Sequence, residues 1–166
     1  MEDFDIRIAT PDDKADLEKL TRELVKEKGE EFIEKRFEWG LLRRIYDPLQ
    51  RHGVFVAVDK STNKIVGMIF AELRIDPFGS SEGYIKQLHI TTEFRRKSLG
   101  TRLIEIAVDH LNKINVQKVK VNIPQNAGNT ETVMKLFNTF KFKPKYTVME
   151  MDLSTVNPIK KDPNAK

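Results

Sequence analysis

EFRRKSLGTRLIEI, residues 93–106, decides how the chain is read. Two arginines, a lysine and a serine run into Leu99, Gly100 and Thr101. From about Thr101 to Lys113 the apolar residues Leu103, Ile104, Ala107, Val108 and Leu111 recur at helical spacing. A helix start leaves backbone N–H groups without partners and carries partial positive charge. A preceding turn of N–H groups adds an anion-binding nest. Gly100 allows close approach to the backbone, Ser98 brings a hydroxyl, and Arg95, Arg96 and Lys97 bring full charges. Two readings fit this run: a basic loop that simply opens a helix, or a seat for a diphosphate. It has neither the GxxxxGK[ST] spacing of a P-loop nor the GxGxxG dinucleotide fingerprint.

Outward from the motif the chain alternates strands and helices. YIKQLHI, residues 84–90, reads as the strand that feeds it, and VQKVKVNIP, with Val119, Val121 and Ile123 alternating, as the strand that follows. Upstream, Ile6 to Ala9 reads as a strand, and Thr10 and Pro11 as the cap and first position of a helix whose stripe is Ala15, Leu17, Leu20, Leu24 and Val25. Gly29 ends that helix. One or two helical pieces follow, with Phe32, Ile33, Phe37 and Leu41 on one face, stopped near Pro48 or Gly53. Then come two strands around the turn Ser61 to Lys64. The second is apolar on both faces from Ile65 to Ala71, as a covered central strand is. Asn129 or Thr130 caps a last helix that buries Val133, Leu136, Phe137 and Phe140, and KFKPKYTVMEMDL supplies one or two closing strands. The expected architecture is a single α/β (α+β) domain over residues 1–153: a central, mixed, mostly antiparallel sheet of about six to seven strands with about four flanking helices. Residues 154–166 read as a polar tail.

Composition narrows the function classes. The 166 residues carry a net charge of +4 and no cysteine, which rules out disulfides, a thiol nucleophile and thiolate metal sites. His52, His89 and His110 have no metal-ligand spacing, and no GxSxG elbow is present. No metal is expected. The acidic N-terminus lacks a signal core and the apolar runs are strand-sized, so a cytoplasmic location without membrane contact is expected.

The stretch YIKQLHITTEFRRKSLGTRLIEIAVDHL resembles the acyl-CoA-binding core of the GNAT superfamily of N-acetyltransferases. That family's pattern is a strand, a short loop and then [QR]-x-x-G-x-[GA] opening a long helix. Arg95 matches its first position and Gly100 its last, while Ser98 stands at the middle glycine. The element order from Ile6 to Leu153 agrees, IVGMIF is similar to the third strand, and Lys141–Phe142 takes the place of the GF that ends the last helix.

The resemblance implies a GNAT-like domain that moves an acetyl group from acetyl-CoA to a primary amine by direct attack in a ternary complex. It places the pantetheine arm on the backbone of Leu88, His89 and Ile90, and the pyrophosphate on the N–H groups of Arg96, Lys97, Ser98, Leu99, Gly100 and Thr101 beside Arg95. In the N-x-x-A-x-x-L-Y pattern of the last helix Leu136 matches the leucine, the asparagine slot falls on Thr130 with Asn129 one residue early, and Phe137 occupies the slot of the tyrosine that protonates the thiolate. Tyr84 or Tyr146 are the alternative acids.

Glu72 is the first candidate base, because it interrupts an apolar strand where a cleft should open. The competing reading is that the strand simply reaches solvent there. Glu82 and His89 are further candidates. Glu30, Glu31, Glu34 and Glu38 read either as an attractor for a cationic amine or as a solvated helix face, and Trp39 as core. Two other functions stay open: an acyl-CoA-binding domain that no longer catalyses, suggested by Phe137, and a nucleic-acid module on Arg95–Lys97 and the lysine-rich tail. The second lacks interleaved stacking aromatics, so nucleic acid is not the expected partner. The acceptor, a small molecule or a protein amine, is not specified, and neither is a homodimer formed through the last strand.

Overall fold

The computed structural model describes residues 3–47, 51–125 and 128–153. The tail from residue 154 and the expected stop at Pro48 lie outside them. Nine elements follow one another: β1 (Phe4–Ile8), α1 (Lys14–Glu27), α2 (Glu34–Ile45), β2 (Gly53–Asp59), β3 (Lys64–Ile75), β4 (Ser81–Ile90), α3 (Leu99–Lys113), β5 (Lys118–Val121) and α4 (Thr130–Thr139). The sheet order is β1-β2-β3-β4-β5. The first four strands pair antiparallel as a meander. The α3 crossover then brings β5 in parallel to β4, as a helical connection must.

Local chemistry explains the element ends. Thr10 caps a short turn through Pro11 and Asp13, and its own N–H donates to Asp13 Oδ2 at 2.7 Å. Gly29 stops α1 with φ +69°. Every residue of β2 is buried, and so is β3 from Ile65 to Glu72, because helices cover both faces. On one face α3 packs Leu99, Leu103, Ile104, Ala107 and Leu111 with Ile69, Ile85 and Phe137. On the other, Leu17, Leu20, Leu24 and Leu41 of α1 and α2 pack with Val56, Met68 and Phe70.

Three expectations change. The described residues form five strands rather than six to seven: β5 ends at Val121, and residues 143–153 make no ladder. That segment alternates as a strand does, yet Tyr146, Val148, Met149, Met151 and Leu153 stand exposed, because a strand forms only where a partner edge receives it. Trp39 is not core. It is 66% exposed, with the Arg43 guanidinium 4.7 Å from its ring. Finally, α3 opens at Leu99, two residues before the sequence expectation.

Candidate active site

The gap comes from unequal strand lengths. β4 and β5 pair only from Glu82↔Lys118 to Ile85↔Val121, after which β4 continues alone to Ile90. At about 3.3 Å per residue, roughly 15 Å of β4 edge is left open. Thr91 N–H donates to Val66 O of β3 at 2.9 Å, so Thr91 faces β3. By strand alternation Ile90 and Leu88 turn their N–H and C=O groups the other way, into the gap. His89 is in register with Met68. Its backbone therefore faces β3 rather than the gap, which leaves Leu88 and Ile90 as the two residues of the expected trio that present hydrogen-bonding groups there.

A bulge makes this arrangement workable. Register shifts between Met68 and Phe70, and Gln87 has φ +54°, so β4 carries one extra residue. Ile85, Leu88 and Ile90 consequently share the α3 side, while the His89 ring faces α1. His89 is 3% exposed, and its Nε2 lies 2.9 Å from Glu23 Oε2.

At the open mouth of the gap stands the motif that the sequence singled out. Arg96 has φ +63° and Ser98 φ +61°, and Ser98 is the N-cap of α3 without a side-chain cap bond. Arg102 N–H donates back to Ser98 O at 3.1 Å. Leu99, Gly100 and Thr101, in the first turn, have no intrahelical acceptor for their N–H groups. The alternating backbone builds a concave array of donors at the positive end of a 15-residue helix. Ser98 thus adopts the left-handed conformation for which glycine is the usual residue, as does Lys141 (φ +67°) just past α4. Ser98→Gly and Lys141→Gly are each expected to stabilise the fold by roughly 0.5–1 kcal/mol, relief of left-handed strain less the added chain entropy; urea unfolding midpoints measure it.

The side-chain charges divide their work. Arg95 does not reach into the nest: its Nε donates to Ile90 O at 2.8 Å and its Nη2 pairs with Glu27 of α1. It ties the loop to the end of β4. Lys97 sits 5.9 Å from the rings of Phe4 and Phe94, and Arg96 is exposed. Gly100 lies inside the helix. A Cβ there would meet Leu136 Cδ2 at 3.2 Å and Ile90 Cδ1 at 3.6 Å. Asn129 is the N-cap residue of α4, with no side-chain cap bond. Phe137 is 2% exposed and packs edge-on against Phe142 with centroids 5.2 Å apart, so the ring in the tyrosine slot serves the core.

At the closed end of the gap, on the α1/α2 face, a polar group gathers that no single motif announces. Glu72 does not run into solvent. It is 5% exposed, its Oε1 accepts from Arg44 Nε at 2.6 Å, and its Oε2 lies 3.3 Å from Lys86 Nζ. Burial pushes its carboxyl up, but the Arg44 charge, with Lys86, more than offsets this and holds it below the ordinary range. Tyr84 stands opposite Glu72 in the register and gives its hydroxyl proton to Glu82 Oε2 at 3.2 Å. Glu82 also takes Lys120 Nζ at 2.8 Å, and that bond is the main reason its carboxyl is lowered. Tyr146 is 74% exposed, with Lys120 Nζ 4.8 Å from its ring. His52 is half-buried, with Nδ1 unpartnered among the described residues; burial lowers its pKa, so the ring is neutral at pH 7. Sequence reading missed Arg44, Lys86 and His52, since only tertiary contacts bring them here. Glu38 is drawn away into a pair with Lys14 at 2.8 Å.

A parallel strand pair that opens beside a nest at a helix N-terminus defines a class: α/β domains that lay an extended, phosphate-ended thioester carrier along a strand edge. The chain belongs to the acetyltransferase (GNAT) family, whose model matches residues 17–133. It is an acetyl-CoA-dependent acyltransferase of that family. Solved structures agree in fold at low identity. AAC(6')-Iy in complex with the bisubstrate analog CoA-S-monomethyl-acetylneamine superposes with TM-score 0.76 at 12% identity, over 91% of this chain and 98% of that one. An acetyltransferase of Clostridium acetobutylicum with acetyl-CoA gives 0.75 at 15%, over 93% and 99%. The glucosamine-6-phosphate N-acetyltransferase of Arabidopsis thaliana gives 0.71 at 18%, over 91% and 99%. No curated protein sequence matches the chain.

Proposed function

We propose that this acetyltransferase transfers the acetyl group of acetyl-CoA to a primary amine by direct attack in a ternary complex. The observation that carries the reading is the gap itself: an open β4 edge that begins at the donor nest and closes beside Tyr84. The diphosphate sits on the N–H groups of Arg96 to Thr101. The arm follows β4, and the N–H and C=O groups of Leu88 and the N–H of Ile90 pair with it like a partial strand, the Ile90 carbonyl being taken by Arg95. The thioester then lies near the closed end, where an N–H of β4 polarises its carbonyl and stabilises the oxyanion as it forms.

The amine attacks in its neutral form, the C–N bond forms, and the C–S bond breaks. Glu72 sits on β3, about a strand and a half from the gap, or roughly 7 Å, so it takes the amine proton through water. Arg44 and Lys86 keep its carboxylate ionised and so able to accept, and the lowered carboxyl makes it a weaker base than one poised near neutral pH. Tyr84, beside the last paired residue, gives the proton to the departing thiolate. Tyr146 is the exposed alternative. Calorimetric titration with acetyl-CoA, followed by a thiol-release assay with an amine panel, tests the reading: saturable binding and amine-dependent thiol release are expected. Absence of CoA binding sinks it, and binding without turnover on any amine favours a non-catalytic acyl-CoA receptor.

A further inference from the structure

Two groups of cations lie along the gap, and one ligand cannot satisfy both. The first lies at the nest. The second lies at the closed end of the gap, on the α1/α2 face, where Arg74 and Glu82, Glu72 and Tyr84, and Phe70 and Lys86 are opposite each other across β3 and β4. Lys118 and Lys120 continue the row on β5, opposite Glu82 and Tyr84, and Arg44 enters from α2 through Glu72. Cations therefore outnumber carboxylates around Tyr84: Arg44, Arg74, Lys86, Lys118 and Lys120 against Glu72, Glu82 and Asp76, which is close enough to act on Glu82. Lys120 and Glu82 neutralise each other, and Glu72 is shared by Arg44 and Lys86. Arg74 has no carboxylate partner among the described residues. Its guanidinium lies 4.6 Å from the Tyr84 ring centroid, exposed at the rim.

The phosphates of CoA do not account for this second group. With the bulge taken into account, about 17 Å of β4 separates Tyr84 from Ile90, and the nest lies beyond Ile90. A diphosphate on the nest leaves the Tyr84 cluster unscreened. An excess of fixed positive charge beside the reacting thioester also works against a cationic acceptor. It raises the free energy of an ammonium ion there and lowers that of an anion.

We propose that the acceptor is a small amine that also carries an anionic group, a carboxylate or a phosphate, which Arg74 holds beside Tyr84. This rests on the acetyl-transfer reading above and adds the substrate class to it. The anion fixes one end of the molecule and the free amine points to the thioester. Positive charge nearby also lowers the amine pKa, so more of it enters neutral.

The test uses amine pairs that differ only in the anion, with acetyl-CoA as donor and thiol release as readout: ethanolamine against phosphoethanolamine, and propylamine against β-alanine, with spermidine as the cationic control. The charged member of at least one pair is expected to have a kcat/KM tenfold or more above its neutral partner, and the two pairs tell phosphate from carboxylate. Arg74→Glu is expected to raise KM for that anionic amine tenfold or more, with acetyl-CoA affinity unchanged by calorimetry. Equal or better use of the neutral amines or of spermidine overturns the proposal. So does a failure of both anionic amines to react or to bind the CoA-loaded protein. Either result leaves the acetyl-transfer reading standing if acetyl-CoA binds, whereas loss of acetyl-CoA binding itself removes the reading beneath it.

Discussion

Gly100→Val is expected to cost about 2–3 kcal/mol of acetyl-CoA binding, roughly 30- to 150-fold in Kd, while the protein stays folded. Gly100 sits in the first turn of α3, where the free N–H groups face the mouth of the gap. A Cβ there meets Leu136 Cδ2 at 3.2 Å, the far end of a flexible side chain, and Ile90 Cδ1 at 3.6 Å. Alanine can therefore be absorbed by a small shift of Leu136, and Gly100→Ala should lose little. Valine adds two stiff methyls. They push against Leu136 and Ile90 and stand over the N–H donors that a diphosphate must reach. The two variants, compared by calorimetry with CoA and by thermal unfolding, separate a covered donor array from a damaged core. Unchanged CoA affinity in the valine variant would remove the pyrophosphate seat.

Glu72→Ala is expected to destabilise the fold by about 2–4 kcal/mol. Removing one member of a buried pair leaves the other charge uncompensated, and here two cations, Arg44 and Lys86, lose their shared carboxylate. The sign of the pH dependence follows from the lowered folded pKa. Glu72 contributes stability above the ordinary carboxylate pKa, and that contribution is lost as pH falls through the folded value. Glu72→Gln should therefore flatten the acid limb of stability against pH and cost less than alanine, because the amide still accepts a hydrogen bond. If Glu72 also relays the amine proton, glutamine lowers kcat with little change in the KM for acetyl-CoA. A glutamine variant with lost stability but full kcat would confine Glu72 to holding Arg44 and Lys86.

The turn of N–H groups at the start of α3 was legible because its parts are adjacent in sequence. Backbone N–H groups, a small residue and a helix stripe all lie within Arg95–Leu111, and the left-handed conformation of Ser98 falls at the expected glycine. The covered strand over Ile65–Ala71 was legible for the same reason. Glu72 misled because its burial depends on Arg44, brought from a different helix. Arg95 was assigned to the phosphate by proximity, whereas Glu27, far upstream, takes its charge. One signal was present and unread: in YIKQLHI the apolar residues Ile85 and Leu88 are three apart. A strand puts them on one face only if it carries an extra residue, which it does at Gln87. The missing closing strands mark the opposite limit, since alternation reports strand propensity and not the availability of an edge.

The short seam between β4 and β5 also sets where the molecule loosens. β2, β3 and β4 pair with sequence neighbours, as at Asp59↔Lys64, whereas Phe4 reaches Asp59 across α1 and α2 and Glu82 reaches Lys118 across the whole of α3. Loop closure makes such distant parallel pairing slow, and four residues of β5 reward it only modestly. Of the two distant pairings this seam has the shorter ladder, four positions against five between β1 and β2, so it is the first to open. Amide exchange should therefore be fastest at Lys118–Val121 among the strands, and a carrier lying along the open edge of β4 would slow it. The gap proposed to hold the cosubstrate is thus also the weakest fastening of the fold, so occupancy and resistance to unfolding are expected to rise together.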